Sequence, residues 1–357
     1  MNQSSVSHNE ALAQTLGHHA GMVTDRSAAP VFVIGCHRSG TNLLYDMLLS
    51  AGGFAIYRGY LPIYKMLIPR FGSLENPAHL KRVVDTWLRS KGFRRSDLDG
   101  EKMRTKILRE CKTGGDFIRI IMDEIARQQQ VTRWVVYDPD NVLQMARIKA
   151  DIPNALFVHI IRDGRDIALS LKKMGGFRPL PWDRGSRSLL ATALYWEWMV
   201  RKGQRYGRAI PGDYIEVRYE DLVRDPRLTL NLLGKFLDHD LDYDRILSRG
   251  LGRLSESNSS FLEEAEAATI QPVNRWKERL TSPQTAALES LVGQTLQGLG
   301  YELTDKTRRV DFVKKYLRVV YPAFLDTKLW LKLNTPMGRL SNLSALELSG
   351  ALSEYTK

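Results

Sequence analysis

A segment near the N-terminus combines a short apolar run, a glycine-bounded loop and a helical pattern. Residues 31–44 read VFVIGCHRSGTNLL, with Gly35 and Gly40 at the ends of the loop. The first backbone N–H groups of a helix have no partner within the helix, and a preceding glycine-rich loop lets them bind phosphate oxygens. Arg38 adds a positive charge inside the loop, with His37 beside it. We therefore predict a phosphate-binding turn at this place.

This loop differs from the phosphate loops that bind nucleoside triphosphates together with Mg²⁺. Its two glycines have the spacing of a Walker A loop, but Thr41 and Asn42 stand where that motif has a lysine and the Mg²⁺-binding hydroxyl. We therefore expect a phosphate site that works without a metal ion, which leaves a P-loop nucleotide kinase as a less favoured alternative. Because the glycine spacing is a weak signal by itself, an ordinary strand-to-helix turn stays open as well.

A second segment repeats the same local architecture. Residues 156–170 read LFVHIIRDGRDIALS, so that Arg162 ends an apolar run and Ser170 lies about two turns into the following helical pattern. An arginine fork and a serine hydroxyl at this separation can share one phosphate group. The alternative is a surface cluster of ion pairs among the arginines and aspartates of the same segment.

Together the two segments resemble the sulfotransferases that use 3′-phosphoadenosine 5′-phosphosulfate (PAPS). Three further stretches match that family in the same order along the chain: YDP at 137–139, RYEDL at 218–222 and NRWKERL at 274–280. The resemblance covers about residues 30 to 302. It implies a P-loop-like fold and transfer of a sulfuryl group from PAPS, as co-substrate, to a hydroxyl or an amine of an acceptor, with no metal.

The resemblance also implies roles for individual residues. Arg38 would neutralise the charge on the departing 5′-phosphate, and Arg162 with Ser170 would hold the 3′-phosphate. Trp276 would cover the nucleotide, either by stacking on adenine or by packing. The residues predicted to contact the nucleotide are His37, Arg38, Ser39, Gly40, Thr41, Asn42, Arg162, Ser170, Arg275 and Trp276.

The general base is the point at which the sequence departs from the family. Many members place Glu or His soon after the first helix, but residues 47–74 contain no Asp, Glu or His, and Tyr137 replaces the family's lysine before Asp-Pro. Asp138 and Asp140 follow a predicted parallel strand at its carboxyl end, where ligands bind in such folds, so we predict both as catalytic residues with Arg38. The alternatives are that the two aspartates only cap the next helix, and that the chain is a non-catalytic nucleotide-binding member of the same fold.

The elements that must position these residues alternate between strands and helices. Apolar runs predict buried parallel strands at 31–34, 134–137, 156–161 and 214–217. Helical patterns lie at 41–50, 78–90, 115–129, 167–173, 189–205 and 226–237. This alternation predicts an α/β fold with a central parallel sheet, and with the resemblance a three-layer α/β/α architecture. Polar stretches at 174–188 and 255–272 are predicted as loops, the first of them as a candidate lid.

Composition divides the 357 residues into a flexible leader at 1–29, a sulfotransferase domain at 30–304 and a helical C-terminal extension at 305–357. The net charge of +12 implies anionic partners, of which we expect the nucleotide but no nucleic acid. No run of 18 apolar residues predicts a membrane span, and two cysteines exclude a disulfide scaffold or a four-cysteine zinc site. These observations favour a cytoplasmic protein.

Two regions bear on partners other than the nucleotide. The aromatic and aliphatic stretch 54–71 predicts an acceptor pocket for a hydrophobic or phenolic small molecule, a lipid or a glycoconjugate, with plain core packing as the alternative. Residues 306–339 hold nine basic and two acidic residues on an amphipathic pattern. This pattern predicts peripheral contact with an anionic membrane at its inner face. The alternatives are packing on the chain's own domain or on a second subunit of a homo-oligomer.

Overall fold

The computed structural model of the chain describes residues 26–174, 187–252, 273–304 and 312–348, with side chains described from 315 onward in the last range. Most of the predicted leader and of the loop at 174–188, and all of the loop at 255–272, lie outside the described residues.

Five parallel strands form the central sheet in the order β2-β3-β1-β4-β5. They are β1 (Val31–Gly35), β2 (Phe54–Ala55), β3 (Arg133–Tyr137), β4 (Leu156–Ile161) and β5 (Tyr214–Arg218). The four predicted strands are confirmed, whereas β2 was not predicted because two residues carry no pattern. Since β1 pairs with both β3 and β4, the loops that follow these three strands leave the same edge of the sheet side by side.

Helices connect the strands and cover both faces of the sheet. The α-helices are α1 (Thr41–Ala51), α2 (Ile68–Phe71), α3 (Pro77–Leu88), α4 (Lys91–Arg94), α5 (Gly100–Glu110), α6 (Gly114–Gln128), α7 (Met145–Asp151), α8 (Gly164–Lys173), α9 (Leu189–Gly207), α10 (Tyr219–Arg224), α11 (Pro226–Leu237), α12 (Tyr243–Arg249), α13 (Trp276–Arg279), α14 (Ser282–Gly298) and α15 (Phe312–Asn334). A π-helical turn spans Ile63–Leu67, and 3₁₀ turns span Pro139–Leu143, Pro211–Asp213, Pro336–Leu340 and Ser344–Leu346.

The sheet separates two buried apolar clusters, which confirms the predicted three-layer fold. Along β1, Phe32 and Ile34 point into one cluster, whereas Val31 and Val33 point into the other. Successive side chains of a strand alternate between the two faces, so a strand that is apolar throughout is buried on both sides. Helix α1 packs in the second cluster and α9 in the first.

The C-terminal extension forms the long helix α15, and one of its faces packs on the domain. Tyr321 and Leu325 are buried in the apolar cluster that also contains residues of α9 and α14. Arg318 Nη2 lies 2.6 Å from a carboxylate oxygen of Glu197, a buried residue of α9. In the amphipathic pattern of this segment, the charged side that includes Arg318 is expected to face away from the apolar side. Arg318 instead faces the domain, because the buried carboxylate of Glu197 requires a cationic partner.

No helix within the described ranges is both long enough and apolar enough to cross a membrane.

The ion pair between Arg318 and Glu197 predicts how strongly the extension is bound to the domain. The Glu197 side chain is 1% exposed, so Arg318→Met leaves a buried carboxylate without its cation. Because Arg318 is itself partly exposed, we expect this change to lower the free energy of unfolding by about 1.5–3 kcal/mol in a urea titration, the contribution of a hydrogen bond to a charged group. Arg227→Met is the matched control, because Arg227 pairs with Asp244 through two exposed side chains and should cost at most about 1 kcal/mol. Equal effects of the two changes would contradict the prediction.

Candidate functional site

The loop after β1 has the properties of an anion-binding turn. Gly40 precedes α1 with a φ of 100°, and a Cβ at this position would lie 2.4 Å from the ring of Tyr219, so that only glycine fits. In the described residues, the first turn of α1 has no side-chain cap and no acidic residue. The buried hydroxyl of Ser39 likewise has no hydrogen-bond partner within the part of the chain that the structure describes. The turn therefore offers unused donors and the positive end of a helix dipole to an anion.

Arg38 joins the two predicted phosphate segments. Its backbone has a φ of 73°, and its Nε donates to the hydroxyl oxygen of Ser170 on α8 over 3.1 Å. Residues predicted from two segments more than a hundred positions apart are thus in direct contact. The two turns form one site with a cation between them.

The turn after β4 is fixed by contacts from several elements. The Arg162 guanidinium lies 4.3 Å above the ring of Tyr219 and 3.4 Å from a carboxylate oxygen of Asp166. The backbone N–H of Asp163 donates to the Glu220 carboxylate over 2.9 Å. Because Arg162 is 4% exposed, its charge is held at the end of the strand by packing and does not move freely in solvent.

The late stretch predicted to cover the nucleotide lies against this second turn. The carboxylate of Asp166 accepts hydrogen bonds from the backbone N–H groups of Asn274 (3.1 Å) and Trp276 (2.8 Å). The Trp276 ring is buried, with the Arg165 guanidinium 3.7 Å from its centre, and Arg275 is half-buried beside it. Of the two roles considered for Trp276, this geometry corresponds to packing. Contact of Arg275 and Trp276 with the nucleotide stays a prediction.

Asp138 and Asp140 lie directly after β3, at the same edge of the sheet. Asp138 Oδ1 accepts from the backbone N–H of Asp140 over 3.0 Å and so caps the 3₁₀ turn that follows. Asp138 therefore caps the turn with one of its two carboxylate oxygens, as one of the alternatives from the sequence predicts. Its other oxygen, Oδ2, is buried and has no hydrogen-bond partner among the described residues. Asp140 instead bonds His37 Nε2 over 3.1 Å, which connects β3 to the phosphate loop.

Lys65, which the sequence did not indicate as a site residue, supplies a further cation to this cluster. Lys65 lies on the π-helical turn, and its ammonium forms an ion pair with Asp140. Lys65 is a single lysine inside the apolar run IYKML, and nothing in its neighbouring residues indicates an acidic partner. A π-helical turn is uncommon and often marks a functional site, but it is not visible in a sequence.

The pKa values of the two aspartates are shifted in opposite directions. Burial raises the pKa of Asp138 above its usual value, Lys65 opposes this shift, and the neighbouring charge of Asp140 adds to it. Burial also disfavours ionised Asp140, but the positive charges of His37 and Lys65 outweigh it and hold the pKa of Asp140 well below its usual range. Asp140 is therefore the fixed anion of the pair, and Asp138 is the group that can accept a proton.

A cavity of about 290 Å³ opens in front of these residues. His37, Lys65 and Asp138 line one side of it, and residues 345–347 of the C-terminal extension line another. A larger cavity of about 630 Å³ is lined in part by residues of the stretch 54–71, including Tyr64 and Phe71, but by none of the predicted nucleotide-binding or catalytic residues. Within the described ranges, no group of three or more His, Cys, Asp or Glu side chains could hold a metal ion.

Comparisons with known proteins bear on the family and the fold of this chain. Carbohydrate sulfotransferase 2 of human and of mouse is 32% identical to this chain over 113 residues, which are 30% of this chain and 21% of each relative. The chain thus matches about a fifth of the length of these curated relatives. The sulfotransferase domain of the Synechococcus PCC 7002 olefin synthase superposes with a TM-score of 0.50 at 20% identity, covering 79% of this chain and 98% of that domain. This likeness shows a shared fold.

The sequence profile of the sulfotransferase family matches residues 30–243, which is more than half of the 357 residues and contains both phosphate turns and the aspartates after β3. The chain belongs to the sulfotransferase family.

Proposed function

We propose that this protein is an enzyme that transfers the sulfuryl group of PAPS to a hydroxyl group of a small acceptor. The observation that carries the proposal is the contact of Arg38 with Ser170, which makes one site of two phosphate-binding turns. A sulfuryl donor that carries phosphate groups at both its 5′ and 3′ positions requires two phosphate-binding turns side by side.

The residues of the site fit this donor. The uncapped first turn of α1 and the buried Ser39 hydroxyl suit the 5′-phosphosulfate, together with Gly40, Thr41 and Asn42. Arg162 and Ser170 suit the 3′-phosphate. PAPS supplies an activated sulfuryl group whose leaving group is a phosphate, and Arg38 is placed to stabilise the negative charge that develops on that phosphate.

Asp138 is the proposed general base. In the transfer step the acceptor oxygen forms a bond to sulfur while the bond from sulfur to the 5′-phosphate oxygen breaks, and the bonding electrons leave with that oxygen. The acceptor's proton passes to Asp138, whose buried Oδ2 has no other hydrogen-bond partner in the described part of the chain. The products are the sulfated acceptor and adenosine 3′,5′-bisphosphate.

Lys65 and Asp140 would set the proton affinity of that base. The ammonium of Lys65 is paired with Asp140, and its charge lowers the pKa of Asp138 against the effect of burial. This cluster also supports an active enzyme over a non-catalytic nucleotide-binding protein, because a scaffold without chemistry has no need to bury an unpartnered carboxylate oxygen.

We also propose that the outer face of α15 contacts an anionic lipid surface on the cytoplasmic side of a membrane. Tyr316 is 61% and Trp330 is 59% exposed, and the exposed lysines Lys315 and Lys328 belong to the same helix. Aromatic side chains among lysines are typical of helices that lie in the interface of an anionic membrane. The opposite face of α15 is already covered by the domain, so one face is left for this contact.

The 3′-phosphate site predicts selective nucleotide binding. Ser170→Ala and Arg162→Ala should weaken the binding of adenosine 3′,5′-bisphosphate, because each change removes a donor to the 3′-phosphate. For Arg162 the loss should be about 1.5–3 kcal/mol in a calorimetric titration without Mg²⁺. Binding of adenosine 5′-phosphosulfate, which lacks the 3′-phosphate, is the internal control and should change little. Equal losses for the two nucleotides would assign both residues a structural role, and tight binding of ATP with Mg²⁺ would favour the kinase alternative.

The cluster around Asp138 predicts a shift in the pH profile of transfer. Asp138→Asn should lower kcat by about 10²–10⁴-fold, because the amide cannot accept the proton. Transfer needs ionised Asp138, so activity falls as the pH drops through the pKa of this group. Lys65→Gln removes the cation that lowers this pKa most, and the acid limb of kcat/KM should move to higher pH.

Two further variants make this experiment specific. Lys65→Arg keeps the charge and should return the acid limb toward its original position. Lys149→Gln removes a half-buried lysine that pairs with Asp213 away from the cavity, and it should leave the profile unchanged. An unchanged acid limb in Lys65→Gln would show that Asp138 is not the group that titrates.

The exposed face of α15 predicts binding to vesicles that contain anionic lipid. Lys315→Gln together with Lys328→Gln should reduce the bound fraction in a flotation assay, since each lysine near such a surface contributes about 1 kcal/mol. Bound protein should decrease as the salt concentration rises. Lys235→Gln, an exposed lysine on α11, is the control. No binding to anionic vesicles would contradict the proposal, and a dimer in ultracentrifugation would assign this face to a second subunit.

A further inference from the structure

The cavity in front of Asp138 is closed by a segment far away in sequence. The 3₁₀ turn Ser344–Leu346 and Glu347 form part of its wall. Leu346 is 2% exposed and belongs to the main apolar cluster, so this segment is fixed to the domain by burial. The C-terminal extension is therefore part of the site that would receive the acceptor.

Glu347 is bound to the opposite wall of the cavity. Lys91 Nζ lies 2.7 Å from a carboxylate oxygen of Glu347, and Arg94 donates to the backbone carbonyl of Glu347 over 2.9 Å. The hydrogen bond from Lys91 and the positive charges of Lys91, Arg95 and Arg94 lower the pKa of Glu347. The positive charge of Arg95 therefore acts on Glu347, in the wall of the cavity that the extension forms.

Four lysine and arginine side chains of the described residues line this cavity, and three of them have a carboxylate partner. Lys91 pairs with Glu347, Lys65 pairs with Asp140, and Arg58 pairs with Asp46 over 2.7 Å. Arg95 is the exception among the described residues, because its hydrogen bond goes to the backbone carbonyl of Arg58 over 2.9 Å and no carboxylate is paired with it. A guanidinium has five N–H donors, so Arg95 keeps both its charge and most of its donors available.

Arg95 and the proposed base line the same cavity. The largest charge effects on the pKa of Asp138 come from Lys65, Asp140 and His37. Arg95 acts on Glu347 instead, on the side of the extension. An acceptor in this cavity can thus present a hydroxyl to Asp138 and a second polar group to Arg95.

We propose that the acceptor is a small molecule that carries an anionic group, such as a carboxylate or a sulfate, in addition to its reacting hydroxyl, and that Arg95 binds this group. A volume of about 290 Å³ is at the lower end for ligand pockets, which favours a small acceptor over a lipid or an extended glycan. The inference rests on the proposed function. It differs from the expectation of an apolar pocket, since the aromatic side chains of residues 54–71 are mostly buried in the core.

Binding of matched phenols to the complex with adenosine 3′,5′-bisphosphate tests this inference. The probes are 4-hydroxyphenylacetate, its neutral amide 4-hydroxyphenylacetamide, and 4-hydroxyphenyl sulfate, each titrated by calorimetry. The two anions should bind at least about tenfold more tightly than the amide, which is the effect of one charge-assisted hydrogen bond. The ratio of the carboxylate to the sulfate tells which anion the site prefers.

Arg95→Gln should abolish the preference by weakening the binding of the anions and leaving that of the amide unchanged. Arg95→Lys should keep part of the preference. Arg119→Gln is the control and should behave as the original protein, because Arg119 is a half-buried arginine of α6 that donates to Asn154 Oδ1 and does not line the cavity. The proposal is overturned if the two anions and the amide bind equally tightly, or if none of the three phenols binds.

A second variant tests the wall itself. Ala345 is exposed and lines the cavity, so Ala345→Trp should fill it and weaken binding of all three phenols without affecting the nucleotide. Thr327→Trp, at an exposed position of α15, is the control. Unchanged phenol binding in Ala345→Trp would show that the extension does not border the acceptor site. If the unsubstituted protein does not bind the nucleotide, the proposed function itself is contradicted. Failure of the acceptor proposal and failure of the proposed function are therefore distinguishable.

Discussion

The ring of Tyr219 is the contact on which the arrangement of the site depends. Gly40 of the first turn lies against one part of this ring, closely enough to exclude any side chain at that position. Arg162 of the second turn stacks its guanidinium on the same ring at 4.3 Å. One aromatic residue at the end of β5 therefore sets the separation of two turns that come from different strands. The next residue, Glu220, fixes the second turn through the backbone of Asp163.

A second constraint is the cost of burying charge at the end of β3. Two carboxylates in a buried place would repel each other and would both tend to bind protons. His37 and Lys65 remove this conflict on the side of Asp140, so that the negative charge of Asp140 is stabilised and Asp138 is left with the higher proton affinity. The same contacts bind the phosphate loop and the π-helical turn to β3. The contacts of His37 and Lys65 with Asp140 thus both balance the buried charge and position the loop that carries the proposed base.

The C-terminal extension packs on the domain and also forms part of the wall of the proposed acceptor cavity. Its helix α15 is held by the partly buried ion pair of Arg318 with Glu197 and by apolar burial of Tyr321 and Leu325. Its end then places Glu347 at the cavity, opposite Lys91. A segment that looks like an independent appendage in the sequence is in this way joined to the domain at two places, and the proposed acceptor cavity is incomplete without it.

The sequence by itself determined the local features. Apolar runs predicted four strands, and the pattern of glycines, arginines and a serine predicted two phosphate-binding turns and indicated the family. These features are visible because strand burial and the turn into a helix depend on neighbouring residues. Asp138 and Asp140 could be named for the same reason, since their position after β3 is a local property.

Only the tertiary structure decided which distant side chains meet. Lys65 pairs with Asp140, Arg318 with Glu197 across 121 positions, and Lys91 with Glu347 across 256. Nothing in the local pattern around a lysine or an arginine specifies its partner, because a buried carboxylate is satisfied by whichever cation the packing brings within reach. The charge of the cavity, and with it the proposed class of acceptor, follows from these long-range pairings.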